Sequence, residues 1–247
     1  MESEKIRPLY KNKVFGALLF VIGLFGVLVI IHRLSFYVFE YDPQFAPYDY
    51  GKFNILSYFT VQSNIFVCFY LLTSAFAVFG FEKAQKIAFN PLLGALATTY
   101  IIVTGVVYCC GIPLGFTPPF KWDSAAHSMS SFIQVFHHMI IPPFMVLLWF
   151  FPATNKKINH RLLPAFGIYP LVYSLFSIVR GAFSDPHFFA YPFYDPEFVF
   201  GLFVKSGTYS PAAGYLLMIP LLIIGIGLFL IIGRLVILIN DKRTKKI

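Results

Sequence analysis

Residues 55–79 read ILSYFTVQSNIFVCFYLLTSAFAVF. No charge interrupts this stretch, and it is long enough to cross the hydrocarbon core of a bilayer as a single helix, which takes about 20 residues. Near its start sits a polar cluster, Thr60, Gln62, Ser63 and Asn64, where lipid would favour none. A long apolar run therefore fixes the element as a transmembrane helix, and its polar residues must be satisfied inside a protein bundle.

The rest of the chain repeats the pattern. Of its 247 residues, 58% are hydrophobic, 19% aromatic and only 12% charged, against about 25% charged in soluble domains. Six apolar runs are expected to span, at about 14–32, 54–79, 92–111, 124–151, 162–183 and 212–238. The expected fold is all-α and integral to the membrane: a six-helix bundle forming one domain over residues 1–247, with no internal repeat. The first run is long and no small-residue cleavage site follows it, so it is expected to stay as a helix.

Lys5, Arg7, Lys11, Lys13, Lys83, Lys86, Lys156, Lys157, Arg161, Arg234, Lys242, Arg243, Lys245 and Lys246 fall between or beyond alternate spans. Excess Lys and Arg marks the cytoplasmic side, which puts both termini there. Arg33, Lys52, Lys121, Arg180 and Lys205 fall on the other side, with Glu40, Asp42, Asp49, Asp123, Asp185, Asp195 and Glu197. The net charge of +8 thus follows the membrane and does not indicate nucleic acid as a partner. The stretch 184–210 is rich in Tyr, Phe and Pro and is expected to lie on the outer interface as a lid. Cys68, Cys109 and Cys110 make neither a disulfide framework nor a metal spacing. No metal site or cofactor is expected, and the glycine and serine motifs of soluble nucleotide-binding proteins and hydrolases are missing.

Helical periodicity sorts the intramembrane polar residues onto stripes. Ser57, Thr60, Ser63 and Asn64 share one face of the second run, and His127, Ser131, Gln134 and His138 one face of the fourth. The third offers Tyr100, Thr104 and Tyr108; the fifth offers Tyr169, Tyr173, Ser177 and Arg180. Hydroxyl side chains in such helices often only bond their own backbone. A histidine at membrane depth is a functional candidate by default. Pro142 and Pro143 deny the carbonyls of His138 and Met139 their usual N–H partners, which predicts a kink beside the histidine.

The strings Lys52-Phe53, Tyr58-Phe59-Thr60 with Gln62-Ser63-Asn64, His138-x-x-x-Pro142-Pro143-Phe144 and Tyr191-Pro192-Phe193 resemble the androgen-induced-gene membrane-protein family. They are most similar to its bacterial six-helix branch, called Pr-six-Pr. The resemblance runs in order from the first span to the last. Mammalian members of that family are intramembrane threonine hydrolases of fatty acid esters of hydroxy fatty acids. The resemblance therefore implies a hydrolase of lipid esters, with Thr60 as nucleophile and His138 as base. Those members carry a second histidine three residues before the catalytic one; Val135 stands there in this chain, with His137 nearby, so no role passes to His137.

A threonine hydroxyl needs a neutral imidazole within reach to attack an ester carbonyl. Ser63 or Asn64 is expected to donate to the oxyanion, Gln134 to support the histidine, and Arg180 or Tyr191 to hold the substrate's carboxylate. His127 is the rival base, on the same stripe and nearer the outer surface. Counted from Lys52 and Asp123, Thr60 and His138 differ in depth by roughly 10 Å, and counted from Lys83 and Lys156 by roughly 7 Å. Tilt and the proline kink must absorb that offset. The alternative reading is a non-catalytic binder or transporter of lipids or small molecules; a structural membrane subunit is a third. The partner in the first two is a membrane lipid or fatty-acid ester, in the plasma membrane for a bacterial protein. Oligomeric state is left open.

Overall fold

The structure is a computed structural model that describes residues 6–35, 52–115, 120–185, 187–204 and 208–245. The expected outer carboxylates Glu40, Asp42 and Asp49, and the basic residues Lys5, Lys205 and Lys246, lie outside the described residues. The described chain is helical without strands. Among the described residues six helices are long and apolar enough to cross a membrane: Lys13–Ser35, Phe59–Val78, Pro91–Gly111, Ala125–Trp149, His160–Phe183 and Pro211–Thr244. This is a multi-pass membrane protein. The chain divides into two compact units, Met1–Leu162 with Ile232–Ile247, and Leu163–Ile231.

The first unit contains α1 (Lys13–Ser35), α2 (Phe59–Val78), the short α3 (Glu82–Ala88), α4 (Pro91–Gly111), α5 (Ala125–Val135) and α6 (Ile141–Trp149). Leu19 and Val29 of α1 meet Val67 and Leu71 of α2, Ile101 of α4, Ile133 of α5 and Met145 of α6 in one buried core. The reverse faces stay apolar but exposed, as at Val14, Val21, Phe69 and Leu147, which suits contact with lipid tails. Small residues let the helices close on each other. A Cβ added at Gly26 would lie 2.6 Å from the Cys68 sulfur. Helix starts follow local chemistry: Asn90 accepts from the Leu92 N–H at 3.0 Å with Pro91 in the first turn, and Ser124 accepts from the His127 N–H at 3.1 Å.

Several boundaries depart from the sequence expectation. Lys52–Ser57 winds as a tight 3-10 turn and Tyr58 is extended, so α2 begins only at Phe59. Ser57 therefore leaves the stripe it was expected to share with Thr60. In the fourth span, Phe136–Ile140 forms a π-helical turn between α5 and α6, where the Ile141 N–H reaches the Phe136 carbonyl. The last helix, α9, runs Pro211–Lys245, well beyond 238. Polar contacts carry it past the end of its apolar run: Asn240 Oδ1 accepts from the Ile158 N–H at 3.0 Å, and Asp241 meets His160 at 2.7 Å. The Arg7 N–H donates to the Ala153 carbonyl at 3.0 Å and its Nη2 to the Arg243 carbonyl at 2.8 Å. The two described chain ends thus meet at one end of this unit.

The second unit holds α7 (Ala165–Phe183), α8 (Pro196–Phe203) and the first part of α9. The aromatic stretch expected as a loop is partly wound, with a 3-10 turn at Pro192–Tyr194 followed by α8. Pro192 and Pro196 each occupy a first turn, where a missing N–H costs nothing, and Asp195 caps α8. The Tyr194 hydroxyl bonds that of Ser174 at 2.9 Å, and burial pushes the Tyr194 pKa up.

Candidate functional site

Thr60 enters in the first turn of α2, half-buried, and Ser63 and Asn64 follow on the buried side. The Thr60 carbonyl receives two side-chain donors, the Ser63 hydroxyl at 3.0 Å and Asn64 Nδ2 at 2.8 Å. A carbonyl in the first turn would ordinarily take one backbone N–H from the next turn. Here side chains grip it as well, which fixes the turn carrying the threonine. Ser63 Oγ also meets Thr104 Oγ1 on α4 at 2.7 Å, a hydroxyl pair in which either oxygen can donate.

The histidine pair sits on the π-helical turn. Pro142 and Pro143 have no N–H to close regular turns onto His138 and Met139, and the chain widens instead of only bending. Side chains take up carbonyls around this wide turn. His138 Nδ1 donates to the Gln134 carbonyl at 2.9 Å, while Asn64 Nδ2 reaches the His137 carbonyl at 3.5 Å, a long bond. A carbonyl can only accept, so Nδ1 carries the ring proton and Nε2 keeps its lone pair. Gly105 lets α4 approach: a Cβ there would lie 2.9 Å from Pro142 Cγ and 3.0 Å from the His138 oxygen.

Asn64 therefore ties the threonine turn of α2 to the histidine turn. Helical side chains lean toward their own N-terminus, and the His138 bond to the Gln134 carbonyl, one turn earlier, follows that lean.

Not every sequence-predicted site residue joins this group. Thr60, Ser63, Asn64, Gln134 and His138 belong to it, Gln134 through its carbonyl and not its amide. His127 stands exposed at the start of α5, hydrogen-bonded through Nδ1 to Asp123. That bond holds the Asp123 carboxyl below the usual carboxylate range. Ser131, from the same expected stripe, bonds the backbone of Lys121 in both directions. Arg180 and Tyr191 belong to the second unit. There the Arg180 guanidinium lies 4.3 Å over the Phe188 ring, and Tyr191 stacks on Phe193 at 5.2 Å.

Two neighbours that the sequence reading named, Tyr108 and His137, were given no role by it. The Tyr108 ring stacks on that of His138, 3.8 Å between centroids and 13° between planes. Its hydroxyl is buried with no hydrogen-bond partner among the described residues. His137 Nε2 is likewise buried without a partner. The stripe of Tyr100, Thr104 and Tyr108 pointed to this face of α4, but nothing in its spacing paired Tyr108 with His138. Arg33 stands in the last turn of α1. Among the described residues no cluster of His, Cys, Asp or Glu is arranged to hold a metal ion.

An apolar groove of about 200 Å³ runs beside the histidine turn, lined by Val21 and Phe25 of α1, Phe136 and Ile140 of that turn, and Phe144 of α6. Phe136 borders both, its ring 5.7 Å from that of His137. Comparison of the chain with protein-family models, with curated proteins and with solved structures gives no match.

Proposed function

We propose that this protein is an intramembrane hydrolase of lipid esters, in which Thr60 is the nucleophile and His138 the general base. The observation that carries the reading is the tautomer imposed on His138. With Nδ1 committed to the Gln134 carbonyl, Nε2 is the proton acceptor, held rigid against Tyr108 on the turn that Asn64 ties to Thr60.

In the proposed cycle Nε2 takes the Thr60 proton as the hydroxyl oxygen attacks the ester carbonyl. Collapse of the tetrahedral species expels the alcohol, which receives that proton from His138, and leaves an acyl-threonine. Water, deprotonated by the same nitrogen, then attacks the acyl carbon and returns the free acid and the threonine. Ser63 and Asn64 have their donors engaged with main-chain carbonyls, so in this reading they position the threonine turn. The developing oxyanion is assigned to the Tyr108 hydroxyl, which has an unused proton and sits beside the base. The groove at Val21, Phe25 and Phe144 would hold an acyl chain, and Arg33 would attract a carboxylate at the chain's far end. The resemblance to threonine hydrolases of fatty acid esters of hydroxy fatty acids points to branched fatty esters as the class to try.

The test is purified protein with a panel of branched fatty esters, together with Thr60→Ala and His138→Ala. Turnover by the parent that both variants lose, while their melting temperatures stay near the parent's, supports the reading. Turnover surviving Thr60→Ala overturns it. Saturable ester binding without turnover, equal in all three proteins, indicates the lipid-binding alternative.

A further inference from the structure

The other polar region of the first unit lies where the chain ends meet, and the proposed hydrolysis does not use it. Arg243, near the end of α9, lays its guanidinium 3.5 Å over the Trp149 ring, and the indole is pinned by its Nε1–H to the Val236 carbonyl at 3.2 Å. Arg7 reaches the same place from the opposite terminus and spends one donor on the Arg243 carbonyl at 2.8 Å. Arg7 Nε, Arg243 Nε and Arg243 Nη1 are all buried and have no acceptor among the described residues. Beside Arg243 opens a cavity of about 20 Å³, bordered by Tyr10, Tyr70, Trp149 and Thr154.

Two neighbouring guanidiniums with unmade hydrogen bonds are costly, since arginine does not shed its proton near neutral pH. Among the described residues, nearby charge does not relieve them. Asp241, two residues before Arg243, is taken by His160, and Glu82 on α3 is exposed. No anion with several acceptor oxygens meets them among the described residues. A guanidinium offers a fork of donors that fits phosphate or carboxylate oxygens. The position decides between them: Trp149 ends α6, and Tyr10 lies in the turn just before α1. Tyrosines and tryptophans at helix ends mark the headgroup level of a bilayer, where phosphate is the abundant anion. The cavity has room for about one water-sized group, hence for one phosphate oxygen, with the rest of the group at its mouth. Burial pushes the Tyr10 pKa well up, which keeps its hydroxyl a donor.

We propose that Arg7 and Arg243, walled by Trp149 and Tyr10, form a binding site for a phosphate group at the level of the lipid headgroups. A phospholipid headgroup or free phosphate supplies the same oxygens, and the experiment separates the two. The 247-residue chain carrying Trp122→Phe, which leaves Trp149 as the one remaining tryptophan of its two, is purified in maltoside micelles. Melting temperature and Trp149 fluorescence are followed with inorganic phosphate, with phosphatidylglycerol, and with diacylglycerol, which has the same tails and no phosphate.

The expected result is a saturable rise in melting temperature and a fluorescence change with phosphatidylglycerol and none with diacylglycerol. An equal response to inorganic phosphate assigns the site to the free ion; a response to the lipid alone assigns it to headgroups. Arg243→Met should weaken the half-saturation at least about tenfold, because two charge-assisted bonds are lost. Arg243→Lys, which keeps the charge without the fork, should weaken it less, and Arg7→Met gives an independent check should Arg243→Met fail to fold. An equal response to diacylglycerol, no response in any arm, or full affinity in Arg7→Met overturns the proposal.

Discussion

The two polar regions of the first unit solve the same problem in opposite ways. Around Thr60 and His138 most buried donors are neutral and end on main-chain carbonyls: Ser63 and Asn64 on Thr60, His138 on Gln134. Around Arg7 and Arg243 the donors are charged, and three of them end on nothing among the described residues. A satisfied neutral network costs little to bury and holds geometry. An unsatisfied charged pair costs stability until something arrives. The contrast separates a region aligned mostly by neutral bonds within the fold, with the Tyr108 hydroxyl and His137 Nε2 left over, from one whose unmet donors are charged, and each half can be attacked separately.

The largest effect should come from His138→Ala. Loss of a general base that also orients the nucleophile should lower kcat for a branched fatty ester by about 10³-fold or more. The phosphatidylglycerol response at the other region should stay unchanged, because distant sites add independently. A variant that loses both would break the comparison. Tyr108→Phe should lower kcat by about 10²-fold with KM little altered, the signature of a donor used in the transition state; an unchanged kcat removes Tyr108 from the chemistry.

Stability measurements sharpen the contrast further. Asn64→Ala strips donors from the Thr60 and His137 carbonyls and should cost about 1–3 kcal/mol, read as a fall in melting temperature. Arg243→Met, measured without phosphate or lipid, should cost nothing or raise the melting temperature, because it removes an unpaired buried charge. A large fall in both would mean that the two regions are satisfied alike. The smallest effect belongs to Asp123→Asn. The hydrogen bond from His127 lowers the Asp123 pKa in the fold, so its contribution is present above the ordinary carboxylate pKa. That contribution fades as pH falls through the lowered folded value. The pair is exposed and solvent screens it, so melting curves of variant and parent should nearly coincide at neutral pH and merge at acid pH.

The six spans were legible because apolar length leaves little freedom: a run such as 55–79 has few other places to go. The polar stripe of α2 was legible from Ser63 and Asn64, since periodicity alone puts both beside Thr60. The stripe on the fourth span was only half legible, because His127 pairs with Asp123 and Ser131 with the Lys121 backbone, partners that periodicity does not reveal. Pro142 announces a disturbance, but a kink and a wide turn look alike in sequence. The extension of α9 to Lys245 escaped for a related reason. Hydropathy stops near 238, whereas the helix is prolonged by partners such as Ile158 and His160, far away in sequence. The meeting of Arg7 with Arg243 spans almost the whole chain, and charge counting assigned both to one side without bringing them together.

The wide turn at Phe136–Ile140 behaves as a one-residue insertion in an otherwise regular rod. Removing one residue between Phe132 and Val135 would restore ordinary winding and rotate His138 by about 100° relative to α6, away from Tyr108. The segment below, with Pro142 seated in its glycine notch, could stay where it is. A single-codon deletion would thereby dismantle the aromatic clamp on the imidazole while sparing the bundle, a change of phase that no side-chain replacement can mimic.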